Sequence, residues 1–360
     1  MLCAYFLFSV SSLPTTCEVS VIISFLAMQN SSFVFGAEVQ GTGQPTAKDV
    51  AIGSAVFFLA VLTLLLGLAN LYFIRKVQTF HNAFGWFWAS RTVAEMLVEL
   101  NHAVYNAPVT ILQPTSIPVA VGVIPYLVMY IGAVCSCLMH EIISVNRFIA
   151  VHSAVKYRLI FSRRRCMYLI VGCWVYCIIS VPAYIVIPCN LIGYSPTLYE
   201  YVFLECSEDM QRHISIVGTT VNIFCMVLCS FTLLTDFLTL IKIISIRKSL
   251  TSIGNEKNIR RDIRFFAQSA FQNVIMIVVV VMVVYANNRN NPDNEIINIL
   301  GFSTMSVLHV ANALSPIFFN PEIRNRLVKG SKPSSSDQQA NQSNFRVGAS
   351  RVEPSEQCKW

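Results

Sequence analysis

The chain has 360 residues, 54% of them hydrophobic and 12% charged, where an ordinary soluble domain carries about 25% charged residues. Its apolar residues fall in blocks of about 20 or more, which excludes a soluble fold and defines a polytopic membrane protein. The formal charge of +7 does not argue for nucleic acid. Basic residues of membrane proteins gather on cytoplasmic loops, and no basic patch interleaved with aromatics stands apart from those loops.

Residues 1–49 are expected to form an extracellular N-terminal segment. "MLCAYFLFSV" and "VIISFLAM" are apolar but short, split by Ser, Thr and Pro14, and the start lacks a basic n-region. They read either as an atypical cleaved signal or as an extension ahead of a start at Met28, and the second reading is preferred. Asn30-Ser31-Ser32 is a glycosylation acceptor.

Seven apolar segments follow, at 50–74, 84–112, 117–145, 166–187, 214–241, 265–285 and 297–319. At about 1.5 Å per residue each crosses the roughly 30 Å of a bilayer's hydrocarbon. The second needs an argument, because it holds Arg91, Glu95 and Glu99. Without that crossing, Arg75-Lys76 and the cluster running from Arg147 to Arg165 would face opposite sides, against the positive-inside tendency. Arg91 and Glu95 stand one helical turn apart and can neutralise each other inside a bundle. The segment spans. The resulting topology puts 22 of the 26 Lys and Arg on the cytoplasmic side, so the N-terminus is outside and the C-terminus cytoplasmic. The loop from Cys189 to Arg212 is acidic instead, with Glu200, Glu205, Glu208 and Asp209.

After the seventh span, "NPEIRNRLVKG" at 320–330 reads as a short amphipathic helix with Asn320 as N-cap, Pro321 in the first turn and Gly330 as terminator. With Ile323, Leu327 and Val328 towards lipid it would lie along the inner surface. Residues 331–360, rich in Ser, Gln and Asn, are expected to be a disordered cytoplasmic tail. Asn341-Gln342-Ser343 therefore lies on the wrong side for glycosylation, and Cys358, third from the end, makes no prenylation box.

Catalysis and metal binding find little support. Cys135, Cys137, Cys173, Cys177, Cys225 and Cys229 sit inside apolar runs as small hydrophobes, and no Cys or Cys/His spacing suggests zinc. "HEIIS" from His140 to Ser144 begins like a His-Glu-x-x-His zinc motif, but Ser144 replaces the second histidine. No carboxylate dyad or Gly-x-Ser-x-Gly turn appears. The expectation is a non-enzyme with no cofactor and no metal.

"SVNRFIAV" followed by "KY", "LLTDFLTLIK", "RRDIRFFAQSAFQ" and "FFNPEIR" stand in that order, each at the inner end of its span. In these strings and in its seven spans the chain resembles G-protein-coupled receptors, and more narrowly the nematode serpentine chemoreceptors of class X, over roughly Val50 to Leu327. The fold class implied is an all-α membrane protein, a seven-transmembrane helix bundle with a short amphipathic eighth helix. Asn146-Arg147-Phe148 stands where rhodopsin-like receptors carry Asp/Glu-Arg-Tyr. The resemblance makes Arg147 a switch: a guanidinium held by the closed bundle and released to a G protein when the bundle opens. A plain snorkelling anchor is the alternative. Because position 146 is Asn, a lock to a neighbouring carboxylate is missing.

The same coupling region takes in Lys156 and Tyr157, Asp236, Gln268 and Gln272, Pro316 and Asn320. Asp236 is an intramembrane carboxylate expected to pair within the bundle, with Arg147 or Lys242. Gln268 and Gln272, one turn apart with Asn273 nearby, are expected to face inward as interhelical glue or as partner contacts. Pro316 permits a bend in the seventh span. Ser315 and Phe319 replace the Asn and Tyr of the wider family's motif, and the sixth span has no proline.

Ligand contacts are expected in the outer half, from Asn101, His102, Tyr105, Tyr126, Tyr130, Thr219, Thr220 and Tyr285. The outer half of the third span has no Asp or Glu, which points away from monoamines and towards a small, largely apolar or neutral chemical. The third span also lacks the cysteine of the usual extracellular disulfide, and Cys189 and Cys206 are expected to pair with each other. The partners implied are a small-molecule ligand, a heterotrimeric G protein and membrane lipid, with the receptor at the plasma membrane of a sensory-neuron cilium. A seven-span ligand-gated channel would be inverted, against the charge distribution. A transporter would show paired repeats, and none is seen.

Overall fold

The computed structural model describes residues 33–77, 80–250, 270–279 and 295–319, with single positions 268, 281, 323 and 324. The expectations for Asn30, Tyr285, Asn320, residues 1–27 and the tail at 331–360 lie outside the described residues.

Helix α1 (Ala47–Lys76) opens on a capping box, with Thr46 and Asp49 bonding each other's backbone N–H, and closes on Arg75 and Lys76, whose charges suit the C-terminal end of the dipole. Helix α2 (Ala83–Asn101) is capped by Asn82 Oδ1, which accepts from Gly85 N at 3.1 Å. It runs on through a π-helical turn (His102–Asn106) into α3 (Ala107–Leu112), making one continuous crossing. Pro108 explains the widened turn: its ring clashes with the carbonyl four residues back and it has no N–H to offer. Gln113, at φ 47°, ends the helix.

Helix α4 (Val119–His152) runs for 34 residues, or about 50 Å. A short α5 (Ala154–Ile160) leads to α6 (Arg163–Ser180) and α7 (Pro182–Val186), then to a hairpin of β1 (Ile192–Ser195) and β2 (Glu200–Phe203), antiparallel with Ile192 opposite Phe203. Helices α8 (Ile216–Leu250), α9 (Ala270–Val279) and α10 (Glu295–Phe319) complete seven crossings. Among the described residues four helices are long and apolar enough to span by themselves: α1, α4, α6 with α7, and α8. Helix α2 falls short because its three ionisable residues lie within nineteen positions.

The helices overrun the apolar limits read from hydropathy. Helix α4 continues from Val145 to His152, and α8 from Ile241 to Leu250. Backbone bonding does not stop where the apolar run stops, because the next residues are adequate helix formers.

The core lies between α2 and α4. Gly132 allows the closest approach: a Cβ there would meet the Ala94 carbonyl oxygen at 2.7 Å and Val98 Cγ2 at 2.8 Å. Around it pack Phe87, Trp88, Val134, Met139, Ile143, Cys166, Cys177 and Tyr184. Helix α6 turns most of its surface outward, with Tyr168 69% and Ile179 67% exposed, as a lipid-facing span must.

Ile323 departs from expectation. Instead of facing lipid it is fully buried in the main core cluster.

At the hairpin end, residues 34–44 form a strap. Val39 is buried against Gly122 and Gly193, Gln40 bonds both the N–H and the carbonyl of Ile117, and Gly41 N donates to the Pro114 carbonyl at 2.6 Å. Glu205 N donates to Glu38 Oε1, tying strap to hairpin. A disulfide joins Cys189 and Cys206, with Cα atoms 5.6 Å apart.

Candidate functional site

Arg91, Glu95 and Glu99 recur every four residues, so they share one face of α2, and that face points into the bundle. Arg91 is 3% exposed, Glu95 5% and Glu99 0%. Ionic groups this deep persist only when every donor and acceptor is matched.

Arg91 Nε donates to Glu95 Oε1 at 2.9 Å, and Nη1 donates to His140 Nδ1 on α4 at 2.6 Å and to Gln272 Oε1 on α9 at 3.3 Å. A guanidinium only donates, so His140 Nδ1 must accept and the ring proton sits on Nε2. That Nε2–H faces Asn273 Oδ1. Asn273 Nδ2 in turn donates to Asp236 Oδ2 on α8 at 2.5 Å, while Ser144 Oγ donates to Asp236 Oδ1 at 2.7 Å. The donors thus all run one way, from Arg91 through His140 and Asn273 to Asp236.

Helix α10 joins from the other side. Asn312 Nδ2 donates to Glu95 Oε1 at 2.8 Å, and Ser315 Oγ accepts from Gln272 at 2.7 Å and Gln268 at 3.2 Å. One turn nearer the hairpin, Glu99 accepts from His309 Nδ1 at 2.6 Å and Ser306 Oγ at 3.2 Å. A buried polar column therefore ties α2, α4, α8, α9 and α10, with the Glu99 cluster between α2 and α10 stacked one turn above it.

Arg147 lies one turn beyond the foot of this column. Its guanidinium carbon is 5.0 Å from the Phe84 ring centroid, and it feels the charge of Asp236. Asn146 is buried, and its Nδ2 makes no hydrogen bond among the described residues. Phe148 stacks on His152 at 4.0 Å, Lys156 is exposed, and Tyr157 packs on Phe161 at 5.3 Å. Pro316 lies inside α10 next to Ser315.

At the hairpin end, Tyr201 on β2 reaches down to accept from Asn101 and Asn106, both at 2.8 Å, and Asn106 also pairs with His102. Tyr194 OH and Thr110 Oγ1 are 2.6 Å apart. Burial pushes the Tyr194 and Tyr201 phenols well above the usual tyrosine range, so both remain neutral hydrogen-bonding groups. Tyr126 bonds Tyr184 at 3.1 Å and Tyr130 bonds Ser180 at 2.8 Å. Thr219 and Thr220 are not brought to this place. They lie on the exposed face of α8, where Thr220 bonds its own backbone at Ile216, while Val217 and Gly218 take the inward positions.

Sequence reasoning treated Arg91 and Glu95 only as mutual neutralisers and gave Glu99, His140 and Asn312 no role at the site. The spacing of the three charges was the signal that could have found the column.

Seven crossings around a polar core, with an arginine at the end of the third, define the class: a G-protein-coupled receptor fold. The structure is similar to the crystal structure of squid rhodopsin, with a TM-score of 0.67 and 12% identity, over 82% of this chain and 84% of that one. The sequence model of the serpentine type 7TM GPCR chemoreceptor Srx family matches residues 57–320, and the chain belongs to that family. It is 24% identical to melanocortin receptor 5 of Sus scrofa over 208 residues, 51% of this chain and 69% of that receptor. It is 26% identical to melanocortin receptor 5 of Homo sapiens over 152 residues, 39% of this chain and 46% of that one. The protein is a multi-pass membrane receptor of the G-protein-coupled kind, and its family and fold are those of receptors rather than enzymes.

Proposed function

We propose that this receptor binds a small external chemical at its hairpin end and passes the signal to a heterotrimeric G protein at the Arg147 end, at the plasma membrane of a sensory cell. The charge distribution supports the orientation, with the hairpin outside and the C-terminus cytoplasmic. On this reading residues 320–330 lie along the inner surface, the tail is cytoplasmic, and Asn30 is open to glycosylation.

One observation carries the proposal. A hydrogen-bonded column runs from Asn312 and Glu95 through Arg91, His140 and Asn273 to Asp236, whose charge Arg147 feels, and the Glu99–His309 pair stands one turn above it on the same helix faces, towards the hairpin. Ligand binding would shift the population between a closed bundle, with Arg147 held by Asp236 and Phe84, and an open one that offers Arg147 to the G protein. The strap and hairpin over the outer end favour a small molecule over a peptide.

The test is a signalling assay in cells supplied with a permissive G protein, screened with small volatiles and ascaroside-like compounds. Arg147→Ala is expected to abolish ligand-driven signalling with surface expression intact. Unchanged signalling would remove Arg147 from the mechanism.

A further inference from the structure

The π-helical turn at His102–Asn106 lies beneath the hairpin, and nearly every polar side chain around it is matched. His102 pairs with Asn106, Asn101 and Asn106 meet Tyr201, and Thr110 meets Tyr194. Tyr105 stands apart from these pairs. Its side chain is only part-buried, yet its hydroxyl oxygen is sealed from solvent and has no hydrogen-bond partner among the described residues. Leaving a hydroxyl buried and unmatched costs free energy, so such a group calls for a function or a missing partner. Widened turns of this kind recur at functional sites because they re-aim side chains.

The surroundings say what that partner would be. Tyr105 sits on the same turn between Asn101 and Asn106, the two residues that reach Tyr201. From Tyr194 a chain of rings runs through Tyr201, Tyr126 and Tyr184 to Tyr130, with centroids 5.5, 5.3, 5.4 and 5.1 Å apart. Three of these contacts are edge-on, which engages ring faces that would otherwise attract a cation. Of the carboxylates near these residues, Glu99 is fully buried and taken by His309 and Ser306, and Glu200, beside Tyr201 on β2, is buried and engaged as well.

We infer that Tyr105 is the ligand's polar anchor: its hydroxyl donates to a carbonyl or ether oxygen of a small, uncharged, mostly apolar molecule seated among these tyrosines under the hairpin. This deepens the proposed function, resting on its assignment of the hairpin end to ligand. The anchor sets specificity by leaving a buried donor unmatched when a pure hydrocarbon enters and by offering no counter-charge to an ion.

The experiment is cysteine labelling of the full-length receptor in opened membranes, with labelling counted in excess over wild type. Tyr105→Cys is treated with N-ethylmaleimide, an uncharged carbonyl compound, and with a cationic and an anionic methanethiosulfonate. Modification by the maleimide and not by either ion is expected. No modification by any reagent would show a sealed position and overturn the inference, and equal modification by an ionic reagent would overturn the uncharged class. Tyr105→Phe, which removes only the unmatched hydroxyl, is expected to melt at or above the wild-type temperature; a lower melting temperature would mean the hydroxyl serves the fold instead. Because opened membranes expose both sides, these readouts do not depend on orientation. Epitope tags on the two ends test orientation separately.

Discussion

Removing Arg91 from the column should be far more damaging than removing Arg91 and Glu95 together. The two charges are 2.9 Å apart, so at an effective dielectric constant of about 20 their attraction is about 6 kcal/mol. Burial at 3% and 5% exposure takes back much of that through lost hydration. Among the described residues, Arg91→Met strands Glu95 with only Asn312 and Ser136 as donors, and also leaves His140 Nδ1 and Gln272 Oε1 without one. Breaking one partner of such a pair costs about 3–5 kcal/mol, whereas replacing both by apolar residues of similar volume is often close to neutral. The assay is thermal unfolding of detergent-solubilised receptor for wild type, Arg91→Met, Glu95→Leu and the double variant. Each single variant is expected to lose most of its folded fraction, and the double variant to regain the larger part of the loss. If Arg91→Met alone unfolds within about 1 kcal/mol of wild type, as surface pairs do, the buried-column reasoning fails.

Three further outcomes follow from the geometry. Asp236→Asn keeps an acceptor for Ser144 but removes the charge that Arg147 feels, and is expected to raise ligand-free G-protein signalling several-fold at equal surface expression. Replacing Cys189 and Cys206 by Ser opens a loop with a sequence separation of 17, worth about 3 kcal/mol in the chain-entropy treatment; hydrogen exchange in β1 and β2 should quicken while α4 stays protected. Gly132→Ile would drive a side chain into Ala94 and Val98, and overpacking of this kind costs about 1–3 kcal/mol, read as lower surface expression than Gly172→Ile, where a Cβ meets nothing within 4 Å.

What the sequence determined by itself was the number and order of the crossings. A helix in lipid satisfies its own backbone, so a span depends on local apolar length, and its ends on local caps such as Thr46 with Asp49. The family strings around Arg147 were legible for the same reason. Which way each helix faces was not. Thr219 and Thr220 turned outward while Val217 and Gly218 turned in, and Ile323 went to the core rather than to lipid. The π-turn and the hairpin that plants Tyr201 on Asn101 and Asn106 were equally invisible. Arg91 shows the division most clearly: its pairing with Glu95 is an i, i+4 relation written in the chain, but its bonds to His140 and Gln272 cross 49 and 181 residues. Those depend on the rotation and spacing of whole helices, which only packing against neighbours decides.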